Sequence, residues 1–600
     1  MRDFLKYTLA TFVGLLLFIG VGVIGLVVLL FALGSGDSGP TVADKSVLVL
    51  DLSTNITDAN PTPSPNQLLQ GALSGERRDS ISLRTVLQSL EQAAKDKRIV
   101  GIYLKGDMGT TTQGSAVLKE VRDALEKFRS TGKPIYAYGM NWQEREYYLS
   151  SVANKIILNP FGHLEMNGLR SEMVFLSGAL KKYGVGVQVT RVGKYKSAVE
   201  PFLLTKMSPE SREDTQKLLN DVWDYYLTSV GKDRKLTPKD FQTIASDPTL
   251  QGFLAPNKAL NLKLIDRVAY SDEVVQELKR LTGSKEKDPS FRQISLTNYA
   301  TTLTPTSSSG NQIAIAYAEG EIVDGQGSDG QIGGDSFAQQ IRELRLDDSV
   351  KAVVLRVNSP GGSATASEVI QRELVLIRKV KPVVVSMGSV AASGGYWISA
   401  YADKIFAQPN TITGSIGVFG QLFNIQKLAN NNGITWDTVK TSPYADSQTV
   451  SRPKTAQELA VIQTSVDRIY NAFLTKVSEG RKLSKPSVQN IAQGRVWSGM
   501  RAKQIGLVDE LGGIEDAIQE AAKRAKLGDN WRVEDYPRAE SFETWLIEKF
   551  NPPQKEAEAK LKLDPLTTQV QVFQNELNAV KTMNDPMGVY ARMPYDLKID

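Results

Sequence analysis

Four short stretches of this chain hold residue types that could carry out acyl chemistry. Ser393 lies in Ala391-Ala392-Ser393-Gly394-Gly395-Tyr396, between an apolar strand pattern at 382–386 and a helical pattern running toward Ala402. A hydroxyl at a helix start sits near the positive end of the dipole. Small neighbours let a polypeptide approach, and the Gly394 N–H could donate to an oxyanion. The same pattern also suits a serine N-cap with glycines kept for packing. Ser359-Pro360-Gly361-Gly362 follows the strand pattern at 353–357. Proline and two glycines turn the backbone sharply and leave amides uncovered, either as oxyanion donors or as an ordinary strand-to-helix turn. Ser415, in Thr413-Gly414-Ser415-Ile416-Gly417, offers a hydroxyl that could hold an amine, or marks a tight turn.

The fourth stretch is Gly193-Lys194-Tyr195-Lys196-Ser197-Ala198-Val199-Glu200-Pro201-Phe202. A loop lysine is ordinarily solvated. To serve as a base near neutrality it must fall by roughly 2–3 units from a pKa of about 10.4, which needs burial among apolar groups. Tyr195, Val199 and Phe202 are candidates for that wall. Lys194 and Lys196 are rival bases, and spacing alone does not choose between them.

The rest of the inventory narrows the chemistry. His163 is the only imidazole in 600 residues, so a Ser-His-Asp triad must use it or not exist. It stands in the turn-like Pro160-Phe161-Gly162-His163-Leu164, which suits a structural or solvent-facing role. One histidine and no cysteine exclude thiol catalysis, disulfides, cysteine metal sites and multi-histidine zinc sites within the chain. No metal or cofactor is expected. With no imidazole to spare, lysine is the known substitute base for a serine. Net charge is only +5, without a basic-aromatic array, which argues against a nucleic acid partner.

These residues are positioned by a fold written twice. A shift of 249 positions sets Gly139 on Gly388, Tyr147 on Tyr396, Ser150 on Ser399, Lys155-Ile156 on Lys404-Ile405 and Gly184 on Gly433. In that register Ser393 faces Glu144, Ser415 faces Met166 and Lys196 faces Ala445. Each copy has kept polar groups the other lacks, which predicts one composite site with the lysine from the first and the serines from the second. Buried strand patterns at 46–52, 99–104, 313–317 and 350–357 alternate with helical patterns at 116–129 and 366–378. Such alternation predicts parallel strands with helical crossovers, an α/β architecture. The segments expected are a first repeat at 46–282, a polar linker at 283–310, a second repeat at 311–535 and a tail at 536–600.

Before the repeats, Arg2 and Lys6 precede an uncharged apolar run from Tyr7 to about Gly36, followed by a linker at 37–45. A membrane span needs about 20 apolar residues. This run is long enough, and too long for a secretory signal. It predicts an uncleaved transmembrane anchor at 1–36 with the N-terminus in the cytoplasm and the bulk of the chain outside.

Taken together and in order, the four motifs and the duplication resemble bacterial signal peptide peptidase A in its long, duplicated form, over about residues 46–535. The resemblance implies tandem ClpP/crotonase-like domains and a serine endopeptidase with a Ser/Lys dyad that degrades remnant signal peptides. Motif by motif, it implies Ser393 as nucleophile and Lys196 as general base. Ser415 would orient the amine, and the Gly362 and Gly394 N–H groups would form the oxyanion hole. It further implies a homotetramer on the periplasmic side of the bacterial inner membrane, in contact with lipid through the anchor. Two rivals stand beside it. A crotonase-type acyl-CoA site would use paired amides without the lysine, and an inactive scaffold is conceivable because the first copy holds Glu144 in place of a serine.

Overall fold

Ser46–Asp51 and Gln312–Glu319 read SVLVLD and QIAIAYAE, runs too apolar to face water on either side. Each becomes an interior strand of a parallel sheet, where both faces are covered. The computed structural model describes Gly14 and residues 40–59, 80–106, 114–303, 309–328, 330–537 and 589–593.

The first sheet runs Arg267–Val268, Lys155–Leu158, Ile135–Gly139, Ile99–Lys105, Ser46–Asp51, Gln293–Ser295, all parallel. The second repeats that order with Glu510–Leu511, Lys404–Ala407, Val383–Ala392, Val350–Ser359, Gln312–Glu319 and Arg532–Tyr536, again all parallel. The duplication therefore holds at the level of topology. Downstream, each copy has a 26-residue helix, Pro209–Arg234 and Ala456–Arg481. Each ends at a lysine with positive φ, Lys235 at 56° and Lys482 at 54°.

The copies differ where the second one gains length. Val383–Ala392 has ten residues against five in Ile135–Gly139. The extra half of the strand pairs Val390, Ala391 and Ala392 with Ile412, Thr413 and Gly414, which pair in turn with Val496–Ser498. This extension carries the backbone out to Ser393.

A third sheet joins the copies. Gly186–Val192 of the first runs antiparallel to Val418–Asn424 of the second over seven residue pairs. The order continues through Val589–Arg592, Gly361–Ser363, Glu321–Val323 and Gln331–Gly333. Parallel crossovers alone did not predict this mixed sheet. A buried ion cluster also ties the copies together. Arg356 Nε donates to Asp58 Oδ1 at 2.8 Å, and its Nη2 lies 2.9 Å from Glu120 Oε1. Glu120 Oε2 in turn accepts from Ile514 N–H at 2.7 Å.

Two expected segments need comment. The stretch expected as a linker at 283–310 carries the edge strand Gln293–Ser295 and the helix Leu296–Thr301. Phe291, Ile294, Leu296 and Tyr299 are buried there, too few and too scattered among polar residues to stand out as a pattern. The expected anchor at 1–36 lies outside the described residues apart from Gly14, whose surroundings are open. Among the described residues no helix is long and apolar enough to cross a membrane.

Candidate active site

Ser393 stands between Val383–Ala392 and the helix Gly394–Ser399, with φ 55° and ψ −112°. A non-glycine residue in that region costs of order 1–3 kcal/mol and persists only where its surroundings hold it. Here Ser393 N–H donates to Gly414 O and Trp397 N–H donates to Ser393 O, both at 2.8 Å. The sharp turn throws the side chain off the strand end. Although Ser393 occupies the N-cap position, its hydroxyl makes no capping bond to the helix. Its Oγ lies instead 2.8 Å from Lys196 Nζ.

Lys196 precedes the short 3-10 turn Ser197–Val199 and is held by backbone bonds on both sides. Tyr195 N–H donates to Gln493 O at 3.0 Å, and Lys196 N–H to Gly193 O at 3.1 Å. Two glycines lie against the lysine. A Cβ on Gly494 would stand 2.6 Å from Lys196 N, and one on Gly417 would stand 3.1 Å from Lys196 Cδ. Burial holds the Lys196 ammonium well below its ordinary pKa. Lys194, the rival base, is exposed, with its amine 4.9 Å from the centre of the Tyr195 ring.

The amine has three neighbours. Besides Ser393 Oγ, Nζ lies 3.0 Å from Ser415 O and 3.1 Å from Ser415 Oγ. A neutral amine has two N–H donors and one lone pair. Spending both donors on Ser415 turns the lone pair toward the Ser393 hydroxyl. Ser415 reaches with both oxygens because its backbone is bent to φ 49° and anchored by donation from its N–H to Arg495 O at 2.7 Å.

Gly361 brings the Pro-Gly-Gly turn against the serine loop. Its φ is +95°, and a Cβ there would stand 2.5 Å from Gly394 N. A side chain at 361 would therefore press on the Gly394 amide. Gly362 is the next residue and pairs with Ile322 across the third sheet. The structure therefore gathers Ser393, Lys196, Ser415, Gly362 and Gly394 into one region drawn from both copies.

His163 is elsewhere. Its Nε2 lies 3.1 Å from Glu165 Oε1, beside the Phe253 ring. In the first copy Glu144 stands where Ser393 stands in the second. Its carboxylate accepts from the N–H groups of Asn167 and Gly168, bracing the loop that matches Ser415 to Gly417. Among the described residues no cluster of histidine and carboxylates is suited to a metal ion.

Sequence reasoning missed Gly417 and Gly494 as supports of the lysine. Ala492-Gln493-Gly494-Arg495 looks like any turn, and only the fold sets it against residue 196. Asp214 was also missed. It accepts from Val496 N–H at 3.0 Å, and burial pushes its carboxyl up to about 7.

Known proteins resemble this chain in both of its copies. Residues 127–285 and 376–528 match Peptidase family S49. Residues 310–416 match the Clp protease family. Protease 4 of Salmonella typhi is 37% identical over 594 residues, covering 96% of this chain and 93% of that protein. Protease 4 of Haemophilus influenzae is 35% identical over 589 residues, 94% of each. The chloroplastic serine protease SPPA of Arabidopsis thaliana is 32% identical over 461 residues, covering 76% of this chain and 67% of that protein.

Proposed function

The chain belongs to peptidase family S49 and is a serine peptidase, and from that premise we propose that Ser393 and Lys196 are its catalytic pair. The observation that carries the assignment is the 2.8 Å approach of a buried amine to a serine oxygen across the two copies. Lys196 takes the Ser393 proton as Oγ attacks a peptide carbonyl. The Gly362 and Gly394 N–H groups receive the charge that develops on the carbonyl oxygen. Lys196 passes the proton to the leaving amine, and the acyl-enzyme is then hydrolysed by water that Lys196 deprotonates. Ser415 keeps the amine aimed throughout.

The proposal extends to the setting. The apolar run at 7–36 serves as a single-pass anchor, with the catalytic copies on the outer face of the bacterial inner membrane. Remnant signal peptides, long apolar segments left beside that face, are the substrate class, and the chain works as a homotetramer. The resemblance and the apolar run support these points.

The test is labelling by a fluorophosphonate followed by peptide mapping. The expected adduct is on Ser393, lost in Ser393→Ala together with hydrolysis of an apolar peptide. Labelling at another serine, or undiminished hydrolysis by Ser393→Ala, overturns the assignment. An acyl-CoA enzyme would give neither adduct nor peptide hydrolysis.

A further inference from the structure

Residues 493–498 of the second copy brace each side chain of the proposed site through their main chain. Gln493 O accepts from Tyr195 N–H at 3.0 Å, next to the lysine. Gly494 lies against Lys196 itself, and Arg495 O accepts from Ser415 N–H at 2.7 Å. Val496 pairs with Gly414, whose carbonyl accepts from Ser393 N–H at 2.8 Å. A shift of this segment would move base, orienting serine and nucleophile relative to one another.

Val496–Ser498 is also the edge strand of the second sheet. An edge strand carries amides with no strand to receive them. Here the first copy supplies an acceptor. Asp214 is buried in the second turn of the helix Pro209–Arg234. Its Oδ2 accepts from Val496 N–H at 3.0 Å, and its Oδ1 lies 3.5 Å from Arg495 Nε. Leu218 and Val222, one and two turns further along, pack with Val496, Ile412 and Ala392. Asp221 Oδ2 accepts from Ser498 Oγ at 2.8 Å. The start of the same helix is tied to the lysine loop. Glu200 accepts from the N–H and Oγ of Ser208 at 3.0 and 2.6 Å, and Ser208 Oγ accepts from Ser211 N–H at 3.1 Å. Lys196 and Asp214 thus belong to one braced unit of the first copy, and Asp214 sets where the second copy meets it.

We infer that Asp214 is a positioning residue for peptide hydrolysis: it holds the Val496 amide, and through the adjoining Arg495 carbonyl it fixes the bent Ser415 that aims Lys196. This role rests on the proposed parts of Ser393, Lys196 and Ser415. Ser415 presents two oxygens to the amine only while its backbone keeps φ 49°. The one anchor on its N–H is a carbonyl next to the amide that Asp214 holds. Asp214 acts through that chain of bonds and not on the substrate, so its loss slows the chemical step and leaves binding alone. Burial raises its carboxyl to about 7; the Val496 N–H, Arg495 and Lys217 pull it down, and Glu213 adds to the rise. A neutral amide at 214 is therefore a close stand-in near neutrality.

The test uses the full chain in detergent with a fluorogenic apolar peptide. Asp214→Ala removes the acceptor and should lower kcat roughly tenfold at nearly constant KM, the cost of a displacement well under 1 Å. Asp214→Asn keeps an oxygen for the Val496 amide and should recover most of that loss. Asp214→Ala combined with Ser415→Ala should be no slower than Ser415→Ala alone, because both act through one contact. Should Asp214→Ala fail to fold, Asp214→Glu, which carries the acceptor one methylene out of place, takes its part with the same expectations. A folded Asp214→Ala or Asp214→Glu with the parent kcat would overturn the inference. So would Asp214→Asn as slow as Asp214→Ala, or a double variant in which the two losses multiply. Ser415→Ala as fast as the parent, or no fluorophosphonate adduct on Ser393 of the parent chain, would instead remove the reading beneath it.

Discussion

Gly494→Ala tests how the lysine is held without replacing either member of the proposed dyad. The new methyl would stand 2.6 Å from Lys196 N and 2.7 Å from its Cα and Cβ. Carbon contacts settle near 3.5 Å, so one backbone or the other must retreat by roughly 0.9 Å. Gly494 N–H donates to Ile416 O at 2.8 Å, which holds one side in place. Most of the displacement therefore falls on Lys196, and its 2.8 Å approach to Ser393 Oγ lengthens beyond a working hydrogen bond. A misplacement of about 1 Å costs roughly 10²-fold in rate. The substitution also strains a backbone at φ +80°, about 1–2 kcal/mol, and overpacks, about 1–3 kcal/mol.

Gly433→Ala is the internal control. Its φ is +76° with nothing within 4 Å of the added carbon, so it carries the strain and not the contact. Steady-state hydrolysis of a fluorogenic peptide and urea unfolding should separate the two. Gly494→Ala should lose roughly two orders of magnitude in kcat with little change in KM. Gly433→Ala should lose only about 1–2 kcal/mol of stability at unchanged kcat/KM. Equal kcat/KM for Gly494→Ala and the parent chain would show that Gly494 does not position the base.

Other expectations follow from the same geometry. Burial lowers the Lys196 pKa, so the neutral base accumulates as pH rises through its folded value; kcat/KM should climb with pH and level off below the free-lysine value of 10.5. The same shift makes the buried ammonium a stability penalty at low pH that fades as pH approaches 10.5. Lys196→Met should abolish hydrolysis while leaving the thermal midpoint at neutral pH equal or higher, checked by circular dichroism. Ser415→Ala removes one of the two acceptors that orient the amine and should cost roughly 10–10²-fold in kcat with a displaced pH profile, read from kcat against pH. Arg356→Leu leaves Asp58 and Glu120 buried without their cation, and should destabilise the chain by roughly 3–5 kcal/mol in urea titration. Asp214 has a carboxyl raised from 3.8 to about 7, so it is protonated when folded and ionised when unfolded between those values. Its contribution to stability is full below pH 3.8 and falls as pH rises toward 7, and Asp214→Asn should flatten that slope in thermal midpoints taken between pH 4 and 8.

What the sequence disclosed and what it hid have physical causes. Landmarks such as Gly184 and Gly433 survive in both copies because each takes a positive φ, at 79° and 76°. Strand and helix order followed from buried apolar runs, which local patterning reports well. The choice of Lys196 over Lys194 was not local, since both lie in the same loop and only the packing of Gly417 and Gly494 sorts the buried amine from the exposed one. The joining sheet escaped notice because its pairs bring residue 186 to residue 424, and no periodicity within either strand encodes a partner so distant. Val589–Arg592 is a short run of strand-forming residues between Gly588 and Pro594, yet nothing in its own sequence names the distant strands it pairs with.

The seven-pair union of Gly186–Val192 with Val418–Asn424 also bears on synthesis. A ribosome finishes Lys196, the proposed base, roughly two hundred residues ahead of Ser393. A nascent polypeptide that lacks the second copy consequently lacks both the proposed nucleophile and the strand that holds Lys196 against it.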